Sequence, residues 1–174
     1  LQAIIEKEFK IGRLTLVKDL FVFSCYTGLS YIYVMNLNED NIALGIDGGK
    51  WIITNRRKTH NKVKIPLLPI AKGLINKYED HIKTKKTKIL FPTISNQKLN
   101  SYLKEIADLS GIKKNLTFHI ARHTFATTIT LSNGVPIETV SKLLGHTKIA
   151  TTQIYAKVIE RKVSKDMASL RSKL

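Results

Sequence analysis

Apolar residues recur three and four positions apart over most of this chain, the period of helices with one buried face. Residues 1–9 carry the first such stretch. Gly12 interrupts it, and Leu14 to Tyr26 resumes it until Thr27-Gly28 brings a stop. Ser30 stands where a helix cap is wanted and opens a short segment reaching Leu37. The period then changes. Ile42, Leu44 and Ile46 alternate with small or polar residues, Gly48-Gly49 makes a turn, Trp51-Ile52-Ile53 follows, and Val63-Lys64-Ile65-Pro66 alternates again. This predicts an antiparallel meander of three strands, with residues 56–62 as the turn joining the last two.

Helical spacing returns from Leu68 to His81. Lys83 to Lys88 reads as a charged loop, and Ile89-Leu90-Phe91 is a short apolar run before Pro92. Three helices are expected next. Leu99 to Leu109 is stopped by Ser110-Gly111, Thr117 to Leu131 is closed by Asn133-Gly134, and the third has Pro136 in its first turn and ends at Leu144 before Gly145. Ile149 to Tyr155 and Glu160 to Leu170 are the last helical segments. The expected fold is mainly α with a small three-stranded antiparallel sheet, in one domain spanning residues 1–174. The opening LQAIIEKEF reads as a helix already under way, which points to a fragment of a longer protein.

Charge narrows the function. The 174 residues hold 29 Lys and Arg against 13 Asp and Glu, a formal net charge of +16. That excess asks for a polyanion. No apolar run approaches a membrane-spanning length, so nucleic acid is the better partner than a membrane surface. A single cysteine, Cys25, excludes a disulfide framework and fits a reducing, cytoplasmic setting.

Candidate chemistry concentrates in two stretches. In Thr117-Phe118-His119-Ile120-Ala121-Arg122-His123, His119 and Arg122 are three apart and share a helix face. An arginine fork fits phosphate oxygens, and a histidine beside it exchanges protons near neutral pH. His119 and His123 also have a metal-ligand spacing, but the zincin motif needs a glutamate where Ile120 stands, and no metal is expected. The second stretch runs from Leu144-Gly145-His146 to Tyr155, nine residues on. A third element is Lys58 in the hairpin turn, either a solvated charge or an ammonium reaching a phosphate or base edge.

Taken together, His119-x-x-Arg122, Leu144-Gly145-His146 and Tyr155 resemble the second conserved box of the tyrosine recombinase, or phage integrase, family. The hairpin bearing Lys58 before Ile65-Pro66-Leu67 resembles the family's catalytic-lysine hairpin, and Tyr26-Thr27-Gly28-Leu29 resembles the opening of its first box. The resemblance covers essentially the whole chain. It implies the family's catalytic-domain fold and site-specific cleavage and rejoining of double-stranded DNA through a 3′-phosphotyrosine intermediate, with no metal, ATP or other cofactor. Tyr155 would be the nucleophile, Arg122 a clamp on the non-bridging oxygens, His119 a proton acceptor or second contact, His146 a donor to a non-bridging oxygen, and Lys58 the acid that protonates the leaving 5′-hydroxyl. It further implies a homotetramer on synapsed DNA, a bacterial, nucleoid-associated location, a missing N-terminal core-binding domain, and a C-terminal helix over 159–174 that docks on a neighbouring protomer.

The resemblance breaks at one position. Ser30 stands where the family carries its first clamping arginine, and Tyr33 stands where an acid is usual. A serine there resembles the branch carried on bacterial conjugative transposons. The missing charge would come from Lys18 or Arg13 on the preceding helix, with Lys18 favoured by its apolar surroundings. Arg56, Arg57, Lys62 and the Lys83 to Lys88 run are the expected contacts to the DNA backbone, with Lys18 a further candidate. The competing expectations are a catalytically weak DNA-binding accessory factor of the same fold, which Ser30 favours, and a metal-dependent nuclease, which the scarcity of clustered carboxylates disfavours.

Overall fold

A computed structural model describes residues 1–56, 61–81, 88–156, 164, 167–168 and 170–172. The fold is mainly α with one small sheet, as the residue periods predict. At its centre is α2 (Gly12–Thr27), preceded by the short α1 (Gln2–Glu6). Helix α2 carries Leu14, Val17, Leu20, Phe21, Val22, Phe23 and Cys25, apolar on every side, because other elements cover it all round. The helices α3 (Tyr31–Met35), α4 (Pro69–Glu79), α5 (Asn96–Leu109) and α6 (Phe118–Thr124) all pack on it. Among the described residues, the one acid inside this core is Asp19. Its Oδ2 accepts from Lys77 Nζ at 2.6 Å and from the Tyr78 hydroxyl at 2.8 Å. That arrangement satisfies the carboxylate and pushes the Tyr78 phenol far up, burial first and the Asp19 charge second.

The sheet has the order β1-β2-β3, from Ile42–Leu44, Lys50–Asn55 and Lys62–Pro66, antiparallel throughout. Ile42 pairs with Ile52 and Ile52 with Ile65, so the buried residues of β2 and β3 lie side by side. Expected alternation to Ile46 stops at Leu44, and Ile46 stands in solvent. Boundaries moved elsewhere too. Helix α5 begins at Asn96, capped by the Ser95 hydroxyl accepting from Lys98 N at 3.3 Å.

The segment expected as one helix over 117–131 is helical but not uniform. Helix α6 gives way to a π-helical turn at Phe125–Thr130 and a 3₁₀ turn at Leu131–Asn133. The Thr130 hydroxyl caps two of the displaced carbonyls, Phe125 O at 3.0 Å and Ala126 O at 2.7 Å. Such a wide turn commonly marks a functional site. The chain ends its described helices with α7 (Ile137–Leu144) and α8 (Ala150–Ala156).

Two hydrophobic cores result. The larger surrounds α2. The smaller comprises Phe125, Ala126, Leu131, Val140, Leu144 and Tyr155, contributed by the π turn, the 3₁₀ turn, α7 and α8. The functional side chains sit where the two meet. The expected C-terminal helix and the trans-docking segment over 159–174 lie mostly outside the described residues. Of the apolar residues at helical spacing there, Met167 and Leu170 are described and exposed, and Val163 lies outside the described residues.

Candidate active site

Two helix ends create the site. Gly28 closes α2 and Gly145 closes α7, each in the left-handed region with φ of 70° and 64°. A Cβ on Gly28 would come within 2.5 Å of the Phe125 ring, and one on Gly145 within 2.5 Å of Val63 and 2.8 Å of Arg56 Nε. Both positions therefore need glycine for conformation and for space.

Arg122 bridges these two ends. Its Nη1 donates to Gly28 O at 2.6 Å and its Nη2 to Leu144 O at 2.6 Å. Both carbonyls lie at helix C-termini, the negative ends of the peptide dipoles, which offsets the burial of a guanidinium that is only 8% exposed. Its pKa still falls to about 10, chiefly through burial, then through the charge of Arg56, so it stays protonated at neutral pH. Nη2 also lies 3.1 Å from His146 Nε2. Both terminal nitrogens of the fork are thus engaged by the fold, and the Tyr155 hydroxyl also hydrogen-bonds the guanidinium.

His146 sits just past Gly145, held by Nδ1 at 2.8 Å from Thr152 Oγ1. Burial, then Arg122 and Arg56, push its pKa down to about 4, so it is a neutral imidazole at pH 7. Tyr155 is 4% exposed, its ring nearly parallel to that of His146 with centroids 6.5 Å apart. Its hydroxyl lies against the Arg122 guanidinium, which helps keep that group charged. On the other side His123 meets the Tyr155 ring edge-on at 4.8 Å.

The structure therefore joins Arg122, His146 and Tyr155, as the sequence led one to expect. His119 lies one step out, exposed at the rim, with its ring 5.2 Å from that of His123. His123, weighed from sequence only as a metal-spacing partner, is the histidine that touches Tyr155. Thr152 was missed as well. Its signal was its place three residues before Tyr155, on the same face of α8.

Ser30 heads α3, where its carbonyl accepts from Tyr33 and Val34, but its side chain makes no capping hydrogen bond. The proposed substitutes for its missing charge are engaged elsewhere, which corrects the sequence expectation. Lys18 Nζ donates to Lys7 O at 2.9 Å and Ile5 O at 3.3 Å, capping the end of α1. Arg13 pairs with Glu105 at 3.1 Å and lies over the Tyr102 ring at 4.8 Å.

The cation that does reach the site is Arg56, at the end of β2. With Arg122, Leu29, Tyr33, Thr54, Val63 and Leu143 it lines one small cleft. Its guanidinium lies 5.7 Å over the Tyr33 ring, in the place where the family pattern has an acid. Burial pulls its pKa down from the ordinary arginine value. Alternation from the buried Ile52 through Thr54 puts Arg56 on the inward face of β2, so the strand period carried this information. Lys62 is exposed at the start of β3. Lys58, Arg57 and residues 83–87 fall outside the described residues.

The family model of the phage integrase family matches residues 19–161. Tyrosine recombinase XerD of Lacticaseibacillus casei is 31% identical over 148 residues, which are 79% of this chain and 49% of the relative. The crystal structure of XerA recombinase superposes with a TM-score of 0.74 at 23% identity, over 98% of this chain and 62% of that one. XerH site-specific recombinase, in its post-cleavage complex with palindromic difH substrate, superposes at 0.73 with 18% identity, over 96% and 49% of the two chains. The chain spans about half the length of the curated relatives it matches. From the helix-bridging Arg122, the adjoining His146 and Tyr155, and the family match over residues 19–161, it follows that this chain belongs to the phage integrase family.

Proposed function

We propose that this chain is the catalytic domain of a site-specific tyrosine recombinase that breaks and rejoins double-stranded DNA through a 3′-phosphotyrosine at Tyr155. One observation carries the reading. Two guanidiniums, Arg122 and Arg56, line a shared cleft, each with its pKa lowered by burial, and neither forms an ion pair among the described residues. Buried positive charge without a counter-charge calls for an anion. Tyr155 and His146 both adjoin Arg122, which supports a nucleophile and a hydrogen-bond donor acting on one phosphodiester.

In this mechanism the Tyr155 oxygen attacks phosphorus, forming the Tyr–O–P bond as the bond to the 5′-oxygen breaks. Arg122 and Arg56 hold the non-bridging oxygens, where charge accumulates. Arg56 takes over the role left vacant at Ser30. His123, against the phenol, and His119 beyond it offer a path for the departing phenolic proton. Lys58, tethered two residues from Arg56, supplies a proton to the leaving 5′-hydroxyl. The phosphotyrosine conserves the bond for religation, so no ATP is consumed.

With DNA as substrate, Lys62 and Arg57 contribute backbone contacts, and the protein works in the bacterial cytoplasm on the nucleoid as a homotetramer across two sites. Ser30 aligns it with recombinases of conjugative transposons. The test is relaxation of a supercoiled plasmid with trapping of a covalent adduct, in EDTA, using the full-length protein. Relaxation with an adduct that Tyr155→Phe abolishes is the expected result. Tight DNA binding without an adduct, where another family member forms one, would favour the accessory DNA-binding role.

A further inference from the structure

We propose that Thr152 is a positioning residue that sets the tautomer of His146, and that its hydroxyl reverses its hydrogen bond when phosphate enters. The argument starts from Arg122, which has donors and no acceptor. Its Nη2, 3.1 Å from His146 Nε2, therefore faces a lone pair on that nitrogen. The single imidazole hydrogen is then on Nδ1, donated to Thr152 Oγ1 at 2.8 Å. A cationic His146 would oppose an N–H to an N–H. The charged groups facing it are Arg122 and Arg56, with the Tyr155 phenol alongside, so its surroundings oppose a positive charge.

A phosphate oxygen placed between Arg122 and His146 reverses the demand on Nε2, which must now donate. Adding a proton would create a third cation in the cleft. Moving the hydrogen does not: one proton leaves Nδ1 for water, one is taken up at Nε2, and the charge is unchanged. That exchange needs a partner at Nδ1 able to switch from accepting to donating. A carboxylate or carbonyl would lock hydrogen on Nδ1, whereas a hydroxyl serves either way. Thr152 is fully buried, and among the described residues its Oγ1 bonds only to this ring, so its hydroxyl hydrogen is available for the reversed bond.

The inference rests on the proposed phosphate chemistry, and its test separates the two. In the 174-residue chain with ¹⁵N-labelled histidine, ring-nitrogen shifts report which nitrogen of His146 is protonated. The free protein should show Nδ1–H, and saturating inorganic phosphate should convert it to Nε2–H. Thr152→Ser should behave likewise. Thr152→Val should lose the single-tautomer signature and slow adduct formation about 10- to 100-fold, less than the ~100- to 1000-fold typical of deleting a transition-state donor. DNA affinity should hold. Signals unmoved by phosphate, an imidazolium with both nitrogens protonated, or a Val variant of unchanged tautomer and rate would each overturn the proposal. An intact tautomer switch in a protein forming no Tyr155 adduct would instead defeat the recombinase reading alone.

Discussion

Replacing Arg56 by alanine removes one of the two guanidiniums in the cleft and leaves Arg122 anchored through Gly28 O and Leu144 O. A preorganised charged donor at a developing oxyanion is worth roughly 2.7–4 kcal/mol. Arg56 is only half-buried and shares the load with Arg122, so water and the remaining fork recover part of this. A loss of about 2–3 kcal/mol, or about 30- to 160-fold in the rate of adduct formation, is the expected outcome. DNA binding should weaken far less, with the salt dependence reduced by about one phosphate contact. Folding should be unharmed, because the removed charge opposes Arg122 and His146 and holds both their pKa values down. Both values should rise in the variant. Adding Ser30→Arg to Arg56→Ala should recover part of the rate, since Leu29 and Tyr33, the neighbours of Ser30 along the chain and on α3, line the same cleft. Single-turnover adduct formation at saturating protein is the assay. A full rate in Arg56→Ala, or a loss matched wholly by weaker DNA binding, would refute the assignment of Arg56 to the phosphate.

Three other outcomes are expected. The His146 pKa is about 4 in the fold, against about 6.5 in an unfolded chain, so only the unfolded chain takes up this proton between those values. Stability should therefore fall as pH drops from about 6.5 towards 4 and be flat above. His123 is shifted the same way, so the His146 share is the difference between wild type and His146→Gln in urea titrations. Asp19→Asn weakens the Lys77 ion pair and the Tyr78 hydrogen bond inside the core, and should cost about 1–3 kcal/mol in denaturant midpoint measurements. Burial pushes the Cys25 thiol up to about 12, so a thiol reagent should label native protein only at the rate of unfolding.

Much of this was legible in the residues because each piece was local. Helix faces, the meander and the stops at Gly28 and Gly145 follow from period and backbone chemistry within a few residues. His119, Arg122, His146 and Tyr155 were singled out by the resemblance of their combined spacing to the family's box, not by the spacing of any one pair. The departures have tertiary causes. Apolar neighbours made Lys18 look like a hidden catalytic charge, but its long side chain passes over them to the carbonyls ending α1. The strand period put Arg56 on the inward face, yet which cleft that face meets depends on β3 lying against α7. The π turn at Phe125–Thr130 was hidden because the same apolar residues satisfy an ordinary helix over that length. His119 and His123 compete for the phenol, and which one reaches it depends on how α8 sits over α6.

The two-core construction bears on how the fold breathes. Tyr155 belongs to the smaller core, built from six buried residues of the π turn, the 3₁₀ turn, α7 and α8, while the larger one encloses α2. Moving Tyr155 out of its place thus breaches only the lesser set of contacts. Amide protons of α8 should then exchange with solvent through local opening, orders of magnitude before those of α2, which must await global unfolding. Helix α8, with Tyr155, is thus the part of the fold expected to open before the larger core around α2.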